Sequence, residues 1–334
     1  MSIRVGINGF GRIGRMVLRS IIENSRKDIN VVAINNKAKS EVSSFLLSHD
    51  TIHGKLKAKL NYSDHLLEIN EKKIAMMHET EISKIDWKKH KVDIVLECTG
   101  KFNTKEKSAQ HIKSGAKKVL VSAPCKGAIN IIFGVNQKSL KNTDQVISAA
   151  SCTTNCLAPV AKVINDNFEI ERGFMTTIHS YTADQKLLDN SHKDLRRARS
   201  APNAIIPTTT GATKSLGDVI PELKDKVEGI SIRVPTPNVS LVEFVFSAKQ
   251  NLSAEKINNS FSKASKSELK NVLDTSNEQL VSSDFNHNPH SAIIDMSLTK
   301  VTDGKMAKVS AWYDNEWGYA NRMCDLAVYF GNID

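Results

Sequence analysis

The stretch that decides the fold reads Asn8-Gly9-Phe10-Gly11-Arg12-Ile13-Gly14 and contains the pattern G-x-G-x-x-G. Alternating apolar residues over 3–7 predict a strand before it, apolar residues at helical spacing predict a helix over 15–23, and 31–34 indicate a second strand. In this order, the glycines permit a tight turn, close approach of the backbone to a pyrophosphate, and close packing of helix on strand. We therefore predict a dinucleotide-binding βαβ unit at Gly9, Gly11 and Gly14.

Strand and helix patterns continue to alternate through the first half of the chain. The apolar runs 92–97 and 119–121 are both followed by small residues, as expected where strand ends face a cofactor. A helical pattern over 104–114 lies between them and is closed by Gly115. This alternation predicts a Rossmann-type α/β domain over 1–151, built on a doubly wound parallel sheet.

The pattern changes in the second half of the chain. Period-two alternation over 240–246, 292–298 and 306–312 predicts strands of a largely antiparallel sheet. We therefore predict a second, α+β domain over 152–317. An amphipathic pattern over 318–330 predicts a final helix.

The composition is that of an ordinary globular chain. Hydrophobic residues make up 40% and charged residues 25%, and no apolar run approaches the roughly 20 residues that cross a membrane. The N-terminal strand-and-glycine pattern is unlike a signal peptide. The five cysteines are scattered and odd in number, which favours a reducing compartment over a disulfide framework. We therefore expect a cytoplasmic protein without a membrane partner.

The net charge of +10, from 46 Lys+Arg against 36 Asp+Glu, leaves two interpretations open. A basic stripe would bind nucleic acid, whereas a solvated surface would only attract anionic small molecules. The lysines are spread over segments such as 55–59, 88–91 and 263–270 rather than gathered in one tail, which favours the solvated surface. A nucleic-acid partner is therefore disfavoured, and a non-catalytic role in binding nucleic acid or a surface stays as an alternative.

The second informative stretch is Ser151-Cys152-Thr153-Thr154-Asn155-Cys156, between a strand-like run over 146–150 and a helical pattern over 157–168. Cys152 therefore lies at a helix N-terminus, where the dipole and the N–H groups favour a thiolate and can hold an oxyanion or a phosphate. We predict covalent catalysis by Cys152, although a single cysteine in such a place is more often a small packing residue. Cys156 is predicted to pack, and no metal site is predicted, because no second Cys/His pair accompanies these two cysteines.

Three weaker signals accompany this stretch. His179, in the strand-like segment 176–182, can act as the base that a thiol nucleophile needs, and the hydroxyls and glycine turn of 207–213 can cradle a phosphate. Asn36 stands at the end of the second predicted strand, where an acid would select NAD by bonding both ribose hydroxyls. An amide does not repel a 2′-phosphate, and Lys37 either attracts one or is a plain surface lysine.

Together, these motifs closely resemble the phosphorylating glyceraldehyde-3-phosphate dehydrogenases over essentially the whole chain. The resemblance rests on the stretches 7–15, 150–156, 179–182, 207–212, 233–239 and 312–319. It implies reversible oxidative phosphorylation of D-glyceraldehyde 3-phosphate to 1,3-bisphosphoglycerate with NAD or NADP, in glycolysis or gluconeogenesis. Cys152 would form a thiohemiacetal and then a thioester, with His179 as the base, and inorganic phosphate would release the acyl phosphate.

The resemblance also implies binding residues and an assembly. One phosphate site would comprise Ser151, Thr153, Thr210 and Gly211, and the other Thr182 and Arg233, assisted by Arg197 or Arg199. Cofactor contacts would come from Arg12, Ile13, Ser122 and Asn315. The loop 189–201 would line a neighbour's cofactor site in a homotetramer. The last helix, over 318–334, would return to the first domain, and 152–317 would be the catalytic domain.

Three departures from the family pattern bear on the cofactor. Asn36 replaces the acid at the ribose, and Asn190-Ser191 replaces a Leu-Pro pair typical of NAD-specific members. The Ser191 hydroxyl of a neighbouring subunit can bond a 2′-phosphate, so we expect use of both cofactors or a preference for NADP. The third departure, Glu79-Thr80 where many members have an arginine, removes one contact near the adenine.

The closest alternative is erythrose-4-phosphate dehydrogenase, a sister family that the segment 281–290 resembles. That family departs from the patterns at 180–182 and 235–237, and this chain keeps both. Thr182 would grip the phosphate of a three-carbon substrate. We therefore predict glyceraldehyde 3-phosphate, rather than erythrose 4-phosphate, as the substrate.

Overall fold

The computed structural model of the chain describes residues 2–333, which form two compact units. The first unit runs to Ile131 and also includes Asn136–Ala150 and the chain from Ala320 onward. The second unit comprises Ile132–Val135 and Ser151–Tyr319. Among the helices of residues 2–333, none combines the length and the hydropathy that a bilayer crossing requires.

The first unit is organised around one nine-stranded sheet. Its elements are, in chain order, β1 (Ile3–Asn8), α1 (Arg12–Glu23), β2 (Ile29–Asn35), α2 (Ser40–Ser48), β3 (His49–Asp50), β4 (Gly54–Lys55), β5 (Leu60–Ser63), β6 (Leu66–Ile69), β7 (Lys72–Met77), β8 (Ile94–Glu97), α3 (Lys105–Ser108), α4 (Gln110–Lys113), β9 (Lys118–Val121), β10 (Ile129–Asn130) and β11 (Val146–Ser148). The strand order is β10-β11-β9-β8-β1-β2-β7-β6-β5, and β3 and β4 form a separate ribbon. Pairing is parallel from β10 to β7, while β7, β6 and β5 form an antiparallel edge. The predicted Rossmann-type sheet is confirmed.

The three glycines after β1 meet three separate requirements. Gly9 has a φ of 92°, in the left-handed region where a side chain is strained. A Cβ added to Gly14 would lie 2.2 Å from the Gly9 carbonyl oxygen, so α1 can approach the turn only with glycine there. A Cβ added to Gly11 would meet no atom within 4 Å, so there is open space beside the middle glycine.

The prediction of one continuous helix over 104–114 is wrong. The segment forms two single-turn helices, α3 and α4, separated at Ala109, where ψ opens to −13°. Ser108 Oγ donates to the Phe102 carbonyl at 2.5 Å, a local side-chain bond of the kind that competes with regular helix. The predicted ends hold: Thr104 Oγ1 accepts from the Lys107 N–H, and Gly115 has a φ of 101°.

The second unit is built on an eight-stranded sheet. Its elements are α5 (Cys152–Phe168), β12 (Ile170–Ser180), β13 (Ile206–Thr208), α6 (Ala212–Val219), β14 (Val227–Val234), β15 (Ser240–Ala248), α7 (Ala254–Lys266), β16 (Leu273–Ser276), β17 (Ala292–Asp295), β18 (Lys300–Thr302) and β19 (Met306–Tyr313). The strand order is β13-β14-β12-β15-β19-β17-β16, with β18 beside β19. Only the pairs β12–β14 and β16–β17 are parallel among the described strands of this sheet, so it is largely antiparallel, as predicted.

The last helix, α8 (Trp317–Gly331), starts in the second unit and belongs to the first unit from Ala320 onward. Within the first unit, Asn24 Nδ2 donates to Asn321 Oδ1 at 2.9 Å, and Lys118 Nζ donates to the Phe330 carbonyl at 2.7 Å. The predicted helix reached residue 334, which lies outside the described residues.

The close approach at Gly14 predicts a stability difference between two alanine variants. Gly14→Ala should destabilise the protein by about 1–3 kcal/mol, because the added methyl overlaps the Gly9 carbonyl. Gly11→Ala adds the same methyl to open space and should leave the thermal midpoint nearly unchanged. Thermal unfolding of both variants is the measurement, and equal midpoints would contradict the tight packing of α1 on the turn.

Candidate active site

The helix α5 begins at Cys152, and its start is fixed by Ser151. Ser151 Oγ accepts a hydrogen bond from the Thr154 N–H at 3.1 Å, and Asn155 Nδ2 donates to the Ser151 carbonyl at 2.9 Å. An N-cap side chain satisfies a backbone donor that the first helical turn cannot pair. The positive end of the α5 dipole therefore lies at Cys152.

Strand β12 brings His179 to the start of α5. The imidazole Nε2 lies 3.5 Å from Cys152 Sγ. Its Nδ1 lies 2.6 Å from the Ser180 carbonyl oxygen, which can only accept, and 3.2 Å from Arg233 Nη1, which can only donate. The shorter contact places the proton on Nδ1 and leaves Nε2 to accept one. The pair thus has the geometry of a thiol that donates its proton to an imidazole base.

Burial of the pair opposes its ionisation, whereas the helix dipole favours a thiolate. Burial raises the pKa of Cys152 and outweighs Arg233 and the Thr153 hydrogen bonds, which lower it. Burial, followed by repulsion from Arg233, lowers the pKa of His179 to about 3. The helix dipole was visible in the sequence, but the desolvation that overrides it was not.

A cation stands next to the pair on strand β14. Because β12 and β14 pair in parallel, His179 and Arg233 occupy opposite positions. Arg233 Nη1 donates to the Ser180 carbonyl at 3.3 Å and lies 3.5 Å from Thr182 Oγ1. The buried Arg233 Nε makes no hydrogen bond within residues 2–333. An unsatisfied donor on a buried guanidinium is suited to an anionic ligand.

The two candidate assisting arginines lie in different surroundings. Arg197 Nε donates to Thr208 Oγ1 at 2.9 Å, and its Nη1 donates to Asp184 at 2.8 Å. The charge of Arg197 also lowers the pKa of His179, although burial and Arg233 are larger causes. The Arg199 side chain is 69% exposed. Arg197 is therefore the one of the two that acts electrostatically on His179.

The other predicted phosphate residues lie at two helix starts. Gly211 is the N-cap of α6, and Thr210 Oγ1 accepts from the Ala212 N–H at 3.2 Å. Backbone N–H groups at a helix start are suited to anions. The Thr153 hydroxyl, in contrast, lies 3.0 Å from Tyr313 Oη inside the core. Thr153 therefore has a hydrogen-bonding partner that the sequence did not reveal.

Asn315 is held in one orientation within the second unit. Its Oδ1 accepts from Ser180 Oγ at 2.9 Å and from Ser240 Oγ at 3.0 Å, and the residue is buried. With the oxygen side of the amide occupied by two donors, the NH2 group is directed to the opposite side. Ser191, by comparison, lies exposed in the long loop, where its N–H donates to Asn190 Oδ1 at 2.7 Å.

A cavity of about 260 Å³ lies in the first unit beside the carboxyl ends of β1, β2 and β8. Doubly wound sheets bind nucleotides at this edge. Four predicted cofactor residues line the cavity, namely Gly9, Gly11, Asn36 and Lys37. The open space beside Gly11 leaves room for a pyrophosphate, so these residues fit the adenosine diphosphate part of a nicotinamide cofactor.

Four other predicted cofactor residues of the first unit, namely Arg12, Ile13, Gly14 and Ser122, are not among the lining residues of this cavity. The Arg12 guanidinium is paired with the Asp50 carboxylate, with Nη2 to Oδ1 at 3.3 Å. Gly14 supports the turn from behind, and the Ser122 N–H donates to the Glu97 carbonyl at 2.9 Å. Ile13 is half-buried in the first turn of α1.

Comparison with known proteins decides the family. The family model described as glyceraldehyde 3-phosphate dehydrogenase, NAD binding domain, matches residues 3–105, and the one described as its C-terminal domain matches 151–315. The chain belongs to the glyceraldehyde-3-phosphate dehydrogenase family. It is 52% identical to glyceraldehyde-3-phosphate dehydrogenase of Cereibacter sphaeroides and 49% identical to that of Xanthobacter flavus, each over 100% of both chains. It is also 49% identical to glyceraldehyde-3-phosphate dehydrogenase 2 of Bacillus subtilis, over 98% of this chain and 96% of that one.

Membership of the glyceraldehyde-3-phosphate dehydrogenase family confirms the resemblance seen in the motifs and makes the chain an NAD-dependent oxidoreductase. One residue of this dehydrogenase was quoted with the motifs but given no role. Tyr313 Oη lies 3.0 Å from Thr153 Oγ1 and 2.8 Å from Thr177 Oγ1, and its ring is edge-on to His179 at 6.0 Å between centroids. Tyr313 directly follows the strand predicted over 306–312, and a buried tyrosine needs a partner for its hydroxyl, which was the available signal.

The Cys152–His179 geometry predicts how the thiol reacts in this dehydrogenase. His179→Asn should slow alkylation of Cys152 by iodoacetamide about 100-fold at neutral pH, because no base remains to take the thiol proton. Alkylation is followed by mass spectrometry of the intact protein.

Two variants control this experiment. Cys156→Ser should react at the wild-type rate, because the Cys156 side chain is fully buried. Cys152→Ser lacks the reactive thiol and should not be alkylated at the wild-type rate. An unchanged rate in His179→Asn would show that the imidazole does not serve the thiol.

Proposed function

We propose that this dehydrogenase catalyses the reversible oxidative phosphorylation of D-glyceraldehyde 3-phosphate with inorganic phosphate and NAD or NADP, in glycolysis or gluconeogenesis. The 3.5 Å pairing of Cys152 Sγ with His179 Nε2, beside the unsatisfied Nε of Arg233, is the main support. A thiol with its base suits covalent attack on an aldehyde, and a buried guanidinium suits a phosphate. The names of the relatives agree with this substrate.

The chemistry follows from the position of the two side chains. As Sγ of Cys152 bonds to the aldehyde carbon, His179 Nε2 takes the thiol proton and returns it to the carbonyl oxygen, which gives a thiohemiacetal. The N–H groups at the start of α5 stabilise the negative charge on that oxygen. When bound, the nicotinamide ring accepts the hydride in the oxidation that follows. His179 takes the hydroxyl proton in that step, which leaves a thioester on Cys152.

Inorganic phosphate completes the cycle. A phosphate oxygen bonds to the thioester carbon, the C–S bond breaks, and the departing sulfur of Cys152 recovers the proton held by His179. The products are the acyl phosphate and the free thiol, so each proton taken by the base is accounted for.

The substrate's own charge prepares the base. Arg233 is one cause of the low pKa of His179 in the ligand-free protein. A phosphate dianion bound at Arg233 and Thr182 offsets this positive field. Its arrival therefore raises the pKa of His179 and makes the imidazole a stronger base in the complex than alone.

The two arginines of the long loop provide a matched test of the phosphate sites. We propose that Arg197, and not Arg199, assists Arg233. Arg197→Gln should raise KM for phosphate or for the phosphorylated substrate about 10-fold to 100-fold, the equivalent of one charge-assisted hydrogen bond. Arg199→Gln removes an equal charge from an exposed position and should change both KM values less than twofold. The reverse order of effects would assign the role to Arg199.

We propose further that Ser151, Thr153, Thr210 and Gly211 form the second phosphate site, and that residues 1–151 with 318–334 bind the cofactor while 152–317 perform catalysis. Arg12, Ile13, Ser122 and Asn315 would contact parts of the cofactor beyond the cavity. The exposure of three leucines on the long loop supports a homotetramer. The side chains of Leu187, Leu188 and Leu195 are 74–82% exposed and are suited to burial against another copy of the chain. The scattered cysteines favour the cytoplasm.

We propose that the enzyme uses both cofactors or prefers NADP. This proposal rests on the residues at the ribose end of the cavity. Asn36 Nδ2 donates to Ser43 Oγ at 3.1 Å, and the residue carries no negative charge to repel a 2′-phosphate. Lys37 lines the same cavity and is exposed. Ser191 of a neighbouring copy would add a hydroxyl. Removing the repulsive element broadens cofactor choice even without a new attractive one.

A paired rate assay tests substrate and cofactor together. We expect glyceraldehyde 3-phosphate and phosphate to support comparable rates with NAD and NADP, or faster turnover with NADP. Asn36→Asp should shift the NADP/NAD ratio of kcat/KM toward NAD about 10-fold. Asn30→Asp makes the same charge change within β2 and should leave the ratio unchanged.

The other outcomes of this assay are equally informative. Strong NAD preference in the unmodified enzyme would contradict the proposed cofactor use and leave the reaction in place. Turnover of erythrose 4-phosphate alone would overturn the substrate.

A further inference from the structure

Gln185 carries a buried amide in a part of the long loop that is otherwise largely exposed. Its side chain is 8% exposed, whereas Ala183, Asp184 and Leu187 are exposed. The Gln185 N–H donates to the Thr182 carbonyl at 2.9 Å, which closes a four-residue turn shortly after β12. The turn brings the amide of Gln185 back toward Thr182, one of the proposed phosphate residues.

The orientation of this amide is fixed by its contact with the backbone. Gln185 Oε1 accepts from the Thr182 N–H at 3.3 Å. Because a backbone N–H can only donate, the oxygen of the amide faces Thr182 and the NH2 group does not. The nitrogen of that NH2 group is buried and makes no hydrogen bond within residues 2–333. A buried donor of this kind is suited to an acceptor on a ligand.

A second unpaired donor lies next to the same threonine. Arg233 Nη1 lies 3.5 Å from Thr182 Oγ1, and the buried Arg233 Nε is also without a partner in the described part of the chain. Since the oxygen and nitrogen of one amide are close together, Gln185 Nε2 lies within about 5.5 Å of the Thr182 nitrogen. Two buried donors thus flank Thr182, and a phosphate has enough acceptor oxygens for both.

The charges around Thr182 also favour an anion. Arg233 supplies a cation, and the carboxylate next to Gln185 along the chain, Asp184, accepts from Arg197 Nη1 at 2.8 Å. The negative charge of Asp184 is therefore offset by its own partner. The amide of Gln185 is neutral, so it can add a hydrogen bond to a bound phosphate without placing another cation beside Arg233.

We propose that Gln185 is a further substrate-binding residue, whose side-chain NH2 group donates a hydrogen bond to the phosphate of glyceraldehyde 3-phosphate at Thr182 and Arg233. The proposal deepens the function proposed above and rests on it. Through its oxygen, the same amide holds the Thr182 N–H, so one side chain both positions the threonine and binds the anion. Gln185 therefore helps the enzyme to distinguish a phosphorylated aldehyde from one without phosphate.

The test compares glyceraldehyde 3-phosphate with unphosphorylated glyceraldehyde. The quantity measured is the kcat/KM for the phosphorylated aldehyde divided by that for the other, at saturating cofactor and inorganic phosphate. Gln185→Met removes the donor at similar side-chain volume and should lower this ratio about 10-fold, the loss of one hydrogen bond to a charged group. Gln185→Glu puts a carboxylate oxygen in place of the NH2 group and should lower the ratio about 100-fold, because like charges repel.

The Glu variant also distinguishes phosphate binding from a merely structural role, because a carboxylate still accepts from the Thr182 N–H. If Gln185 only holds Thr182, Gln185→Met lowers the ratio and Gln185→Glu leaves it unchanged. A loss in Gln185→Glu alone would show an effect of charge without a donated hydrogen bond. Each of these results, or an unchanged ratio in both variants, overturns the proposal.

Two further variants complete the comparison. In a Thr182→Val background, Gln185→Met should still lower the ratio about 10-fold, because the amide binds the phosphate itself. No further loss in that background would show that Gln185 acts only through the Thr182 hydroxyl, and the proposal would be wrong. Gln279→Glu makes the same charge change at an exposed position of the second unit and should leave the ratio unchanged.

Protection of Cys152 from iodoacetamide measures phosphate binding without turnover. Glycerol 3-phosphate should slow the alkylation, and the concentration that gives half protection should rise about 10-fold in Gln185→Met. An equal concentration in both proteins contradicts the role of Gln185. If the unmodified protein does not oxidise glyceraldehyde 3-phosphate, the proposed function fails, while this protection still decides whether Gln185 binds a phosphate.

Discussion

The parallel pairing of β12 with β14 is the interaction on which the second unit's site depends. It sets His179 opposite Arg233 and brings the guanidinium to the Ser180 carbonyl, which also accepts the imidazole proton. On its other edge, β12 pairs with β15, whose Ser240 shares Asn315 with Ser180. A shift of one residue along either ladder would turn these side chains to the opposite face of the sheet and dismantle the site.

In the first unit, a buried polar network, rather than a solvent-exposed charged residue, stabilises the edge of the sheet beside the cavity. The Glu97 carboxylate, fully buried at the end of β8, accepts bonds from Asn8 Nδ2 at 2.6 Å, from the Thr99 N–H at 2.8 Å and from His111 at 2.9 Å. Trp87 Nε1 donates to the far nitrogen of His111 at 3.0 Å, which fixes the tautomer of that ring. Satisfied networks of this kind rigidify a site, because losing any one member leaves a buried group unpaired.

The elements that the sequence predicted are those with local signals. The glycine turn and the start of α5 have fixed spacing and composition, so they could be located without tertiary information. The antiparallel edge over 60–77 has lysines and short polar runs in place of clear alternation, and it was not predicted. Burial raises the pKa of Cys152, and the contacts of Arg197 with Asp184 and Thr208 distinguished it from Arg199. Such facts depend on residues distant in the chain, which one sequence cannot display.

The division of α8 between the two units has a consequence for how the chain is made. The first unit contains residues up to Ala150 and then nothing until Ala320, 170 positions later. At a synthesis rate of about 5–20 residues per second, the ribosome needs roughly 10–35 s to supply the missing helix. During that interval the surface that α8 covers, which includes Ser20 and Ile3, is left open. We therefore expect the nascent chain to bind chaperones until its last helix emerges from the ribosome.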